Sequence, residues 1–187
     1  MDRRSVLAGF AALTAVPVLM TQTRQVMAAM PAPVSTVDFP DVKLADQFYV
    51  AVLGRAELSL ASSQIAVDKA TQKNAHEFAG FELGEAITVN MVLKDIGAVS
   101  PTMDPAHTAI IDNLKTAAKG SAFDQAYIKL QLENHEYLRD LADAYIHNSV
   151  AASDPAEKQG RHLSMLMFAV FKEHVAICKR ISGELKA

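Results

Sequence analysis

Residues 121–149, the run SAFDQAYIKLQLENHEYLRDLADAYIHNS, contain neither Gly nor Pro and follow directly on Gly120. At about 100° per residue, Phe123, Tyr127, Leu130, Leu138, Leu141 and Tyr145 fall on one stripe. Asn134 lies inside that stripe and His135 on its shoulder. A long helix that is apolar along one side needs other helices to cover it. The polar groups it turns inward are then where chemistry could occur.

The remaining chain supplies the partners. A first helix is expected from near Asp41 to about Thr71, with Tyr49, Leu53, Leu60 and Val67 on one face and Glu57 beside them. Gly54 within it costs about 1 kcal/mol relative to Ala, and would permit close approach of a neighbour. A polar turn at Gln72-Lys73-Asn74 leads to a second helix, from about Asn74 to Ile96. Its inner face is rich in Ala and includes Glu82, with Glu85 at the edge; Gly97 closes it as a C-cap. Asp104-Pro105 is an N-cap followed by Pro, which opens a short helix to about Lys119. Ser121 with Asp124 resembles a capping box and starts the long helix. Asp154, Pro155 and Glu157 open the last helix, whose stripe carries Met167, Phe171, His174, Val175 and Cys178. The expected fold is therefore all-α. It is a four-helix bundle with one short extra helix between the second and third long ones, joined by connections short enough for antiparallel neighbours.

The N-terminus reads as an address. Arg3-Arg4 precedes an apolar run from Val6 to Met20, the layout of an export signal of twin-arginine type. A span of the bilayer needs ~20 apolar residues, so the run is short for one. Val26-Met27-Ala28 fits a cleavage site after Ala28, with Ala29 as a competitor. Three segments result: a signal peptide over 1–28, a Pro-rich linker over 29–40 and a helical domain over 41–187. The expected location is the periplasm; the alternative is an anchor formed by an uncleaved N-terminus. Loss of Arg3, Arg4, Arg24 and Asp2 turns 18 basic and 21 acidic residues into 15 and 20. That balance gives no electrostatic support for a nucleic-acid partner, and no stable transmembrane segment is expected after cleavage. The partner expected instead is an envelope protein or a second copy of the chain, forming a homodimer.

Candidate chemistry rests on inward ionisable groups. Glu57, Glu82 and His174 come from three helices, and His135 is a fourth, less well aimed. An ionised carboxylate in an apolar interior is costly unless it is paired or metal-bound. Two carboxylates and two imidazoles form a donor set that suits Fe, Mn, Zn or Cu. Carboxylate-bridged metal sites in bundles use Glu-x-x-His pairs, and no Glu here is followed three residues later by His. Two readings stay open: a satisfied Glu–His pair without a ligand, or a metal or small-ligand site with Glu85 as substitute ligand. No catalytic residue is assigned, since neither a Ser/His/Asp order nor a phosphate loop is present. Lone Cys178 on an apolar stripe reads as a small hydrophobe. His76, His107, His147 and His162 read as solvated.

Four segments carry a resemblance: Ala56-Glu57-Leu58 to Ala66; His76-Glu77-Phe78-Ala79; Ser121-Ala122-Phe123-Asp124-Gln125-Ala126-Tyr127 leading to His135; and Glu173-His174-Val175. Together, over about residues 42–182, they resemble a bacterial family of exported proteins with a domain of unknown function, grouped with the ferritin-like helical bundles. The resemblance implies that fold and export, and its recurring polar positions match Glu57, His135 and His174. Where the family carries an acid followed by His on the second helix, this chain reads Glu85-Ala86.

Overall fold

A computed structural model describes residues 42–149 and 154–186. The expected export segment 1–28, the linker 29–40 and a helix start at Asp41 lie outside the described residues. Five α-helices are present: α1 (Ala45–Lys69), α2 (Lys73–Ile96), α3 (Pro105–Thr116), α4 (Ser121–Asn148) and α5 (Pro155–Glu184). They form an all-α helical bundle. Among the described residues, no helix is long and apolar enough to cross a membrane.

The expected stripe on α4 is the centre of the packing. Phe123, Tyr127, Leu130, Asn134, Leu138, Leu141 and Tyr145 are all buried. Phe48 of α1 stacks on Tyr145 with ring centroids 4.8 Å apart and planes 10° from parallel. The core around that pair draws on α1, α2, α4 and α5. Here α4 lies along α5 and α1 along α2, while α3 packs on α1 and α4. The backbone of α2 stays further from α4 and α5; side chains such as Phe78 and Glu82 bridge the difference.

Helix directions follow from side chains that cap a neighbouring helix. Glu157, in the first turn of α5, accepts from Ala45 N at the start of α1 (3.0 and 3.1 Å). These two helices therefore start at the same end. Buried Asp124, in the first turn of α4, accepts from Thr71 N, Thr71 Oγ1 and Gln72 N, just beyond the end of α1. Thus α1 and α4 run in opposite directions, and α2 and α4 run the same way. Antiparallel neighbours joined by short connections hold for α1/α2 and α4/α5. Residues 97–120 instead cross the length of the bundle, with α3 as part of the crossing.

Local signals account for most helix ends. Asp104 and Asp154 cap α3 and α5 with Pro at the next position. Gly97 closes α2 at φ 107°, in the left-handed region. The capping box expected at Ser121 does not form, because Asp124 turns away to the end of α1 and Gly120 is the N-cap. The short helix ends at Thr116 rather than Lys119, where Lys69 donates to the carbonyls of Leu114 and Ala117. A Cβ at Gly54 would meet Pro101 Cγ at 2.9 Å, which is the close neighbour that glycine permits.

Gly160 has a similar role with less freedom around it. A Cβ there would lie 2.7 Å from both Ala45 Cβ and the Tyr145 hydroxyl. Helix propensity would reward Gly→Ala by about 1 kcal/mol, whereas overpacking of this kind costs ~1–3 kcal/mol. Because Ala45 Cβ belongs to a helix and not to a flexible tip, the clash dominates. Gly160→Ala should lower the thermal midpoint in a melt followed by circular dichroism; a raised midpoint would mean that α1 and α5 are not held this closely.

Candidate metal centre

Three of the residues picked out by sequence meet between α2, α4 and α5. Glu82, His135 and His174 each present one ligand atom, and these atoms lie within 4.8 Å of one another. Glu82 Oε2 is 3.1 Å from His174 Nδ1 and 3.3 Å from His135 Nε2, and the two nitrogens are 3.0 Å apart. All three residues are buried, at 3%, 2% and 7% exposure. Phe78 packs edge-on against both imidazoles, and Phe171 closes the His135 side.

The outer contacts orient the rings. His135 Nδ1 lies 2.8 Å from the Gln131 carbonyl, one turn back on α4. A carbonyl only accepts, so Nδ1 carries the hydrogen and Nε2 offers a lone pair to the centre. His174 Nε2 lies 3.2 Å from Glu85 Oε2. That carboxylate likewise needs the proton on the outer nitrogen, which leaves Nδ1 facing the centre. Carboxylate or carbonyl partners on the far nitrogen are the usual supports of metal-binding imidazoles.

The charges are strongly coupled. Burial alone would raise the Glu82 carboxyl, but the two neighbouring imidazoles outweigh it and hold the group well below the usual carboxylate range. Burial would lower His174, but Glu82 and Glu85 outweigh it and raise the imidazole to about 9. Glu82 Oε2 is buried and accepts no well-directed hydrogen bond, despite its two nitrogen neighbours. Ligand atoms on a tetrahedral metal about 2.0–2.1 Å away sit ~3.3 Å from one another. The observed triangle is close to that size.

The other expected ligands fall elsewhere. Glu57 does not join the triangle: it pairs with Lys94 Nζ at 3.0 Å and accepts from Ser100 Oγ. Its carboxylate remains partly exposed, where a lysine from the end of α2 neutralises it without full desolvation. Glu85 does not substitute as a ligand at the centre, since His174 stands between; it holds the outer face of that ring with its own side chain 47% exposed. Cys178 is buried, and burial, reinforced by Glu82 and Glu136, pushes its thiol far above the ordinary range. It stays a small apolar side chain, as expected.

Sequence reasoning missed two neighbouring features. His107 is not solvated: it is buried on α3 and meets Arg55 Nη1 at 3.2 Å. Burial, then the guanidinium, lowers its pKa. Arg55 also lies 3.7 Å over the Tyr137 ring. The second feature is a polar seam between α1 and α4. Ser59 donates to Gln131 Oε1, Gln131 Nε2 donates to Ser62, and Ser63 meets the Tyr127 hydroxyl. The spacing of Ser59, Ser62 and Ser63 on the α1 face toward Gln131 was the available signal.

Comparison of the chain with protein-family models, with curated proteins and with solved structures returns no match.

The coupled charges set a pH dependence for chelator-treated, metal-free protein. His174 is raised above its ordinary 6.5, so its contribution to stability is full below about pH 6.5 and is lost as pH climbs through 9. Glu82 is depressed below its ordinary 4.5, so its contribution is present above that value and is lost in acid. Thermal midpoints should hold between these limits and decline from pH 6.5 to 9. Glu82→Gln should flatten that alkaline decline, because it removes a carboxylate that keeps His174 charged; parallel profiles for the two proteins would show that the pair is not coupled.

Proposed function

We propose that the chain is an exported binding protein that holds a divalent transition metal on Glu82, His135 and His174. The supporting observation is the buried Glu82 Oε2, which faces two imidazole nitrogens and lacks a directed hydrogen bond. A cation at the centre would satisfy all three ligand atoms together, whereas one proton on His174 Nδ1, 3.0 Å from His135 Nε2 and 3.1 Å from Glu82 Oε2, would have to be shared between them. Two imidazoles and one carboxylate suit Zn or Fe, and also Mn or Cu, and leave further coordination positions open. The arrangement is a binding site in this reading, with no residue assigned to catalysis.

Export to the periplasm is proposed from Arg3-Arg4 and the apolar run after it. A ferritin-like bundle is proposed from the one long crossover that makes α2 and α4 run the same way. The resemblance to the exported bacterial family agrees with both. A second reading, an interaction module of the cell envelope, is favoured by exposed Phe81, Met91, Met165 and Leu166. Its occupant would be an envelope protein or a second copy of the chain.

Metal analysis separates the two readings. Protein purified from the periplasm should carry about one transition-metal ion per chain, the capacity expected of a single three-ligand site. His135→Ala, His174→Ala and Glu82→Ala should each lose it, while Glu57→Ala should keep it. A metal-free protein whose melting temperature ignores added Fe, Mn, Zn and Cu would leave only the interaction module.

A further inference from the structure

An ion that binds Glu82, His135 and His174 has to reach ligand residues that are all buried. Behind the triangle the core is closed. Phe78 packs edge-on against both imidazoles, and Tyr127 and Cys178, close enough to feel the Glu82 charge, are fully buried. On the other side a cleft opens to solvent, and its lining runs from buried Glu82 and His135 out to Glu85, whose side chain is 47% exposed. Here the backbone of α2 keeps its distance from α4 and α5, so side chains such as Val89 and Phe171 fill the seam. No lysine or arginine stands on the cleft walls. Glu82 and Glu85 are three residues apart on α2, which makes them neighbours on its surface. The outer carboxylate also touches a ligand residue, since Glu85 Oε2 lies 3.2 Å from His174 Nε2.

We infer that this cleft is the loading portal of the centre: Glu85 captures a divalent cation at its mouth, and Glu82, one step further in, draws it to the imidazoles. The inference rests on the metal-binding reading and adds the route and the rate of exchange. A portal acts on the barrier and not on the end states. Narrowing it therefore slows uptake and release by the same factor and leaves Kd where it was. Glu85 has two roles that kinetics separate. Attraction at the mouth acts on association and fades as salt screens it. Support of the outer nitrogen of His174 acts on the bound state, and its loss speeds release.

The test uses the full mature protein, chelator-treated, with zinc as the probe. Stoichiometry and Kd are measured first. Uptake from a zinc-responsive dye and release to excess chelator are then followed by stopped flow. Val89→Phe should slow uptake and release by about tenfold each, with Kd unchanged. Glu85→Gln should slow uptake by about tenfold at low salt, the lower end of what charge steering provides. That difference should vanish near 1 M salt, where the screening length falls to about 3 Å. Because Glu85 lies at the solvent edge, its variant decides the question whether or not the filled cleft folds. No zinc uptake, together with indifference to Fe, Mn and Cu, would overturn the metal reading and this inference with it. Bound zinc, with Val89→Phe loading at the parent rate, would overturn this inference alone. So would Glu85→Gln that loads at the parent rate and only releases faster, the mark of a residue that orients His174 and captures nothing.

Discussion

An ionised carboxylate held away from water must be matched by positive charge, and among the described residues the interior of this bundle pairs Glu82 with two imidazoles. The helices are arranged around that requirement. The backbone of α2 keeps its distance from α4 and α5, and Glu82 and Phe78 reach across the gap. His135 is fixed from behind by a carbonyl of its own helix, and His174 by Glu85 at the solvent edge. Each imidazole therefore turns one nitrogen to the same point. The two inward nitrogens stand 3.0 Å apart, at hydrogen-bond distance, while Glu82 Oε2 is left without a directed partner.

The ends of the helices keep the triangle in register. Glu157 joins the start of α5 to the start of α1, and Asp124 joins the start of α4 to the end of α1. Gln72 and Asn74 at the start of α2 donate to Glu184 at the end of α5. Arg161 donates to the carbonyls of Ile146 and Ser149 at the end of α4. Those of Glu157, Asp124 and Arg161 satisfy terminal backbone groups that a helix cannot pair internally, with side chains from other helices, while those of Glu184 join side chains alone. Sliding one helix along another would break caps as well as core contacts.

Much of this was legible in the chain. The stripe on α4 follows from 3.6-residue periodicity, and the Asp-Pro starts of α3 and α5 follow from capping chemistry. Periodicity also put Glu82 and His174 on inner faces, which is where they lie. It failed for Glu57, since a helical face does not reveal that Lys94, on the next helix, will reach it. It undervalued His135, because a shoulder position becomes central only when the distance between helices is known. Asp124 misled for a similar reason: the spacing Ser121 to Asp124 is local, whereas its real partners, Thr71 and Gln72, are far away in sequence. The buried pair of Arg55 and His107 was hidden because Arg is mostly exposed and His only intermediate in burial, so neither type signals a core position.

The central claim is that a cation, and not a shared proton, completes the triangle of Glu82, His135 and His174. Anomalous diffraction from crystals grown with one equivalent of zinc tests it most directly. The account predicts one strong peak about 2.0–2.2 Å from Glu82 Oε2, His135 Nε2 and His174 Nδ1, with Glu85 still on the outer nitrogen of His174. Zinc found only at surface carboxylates, with the Glu82–His174 contact intact and no density between them, would contradict it.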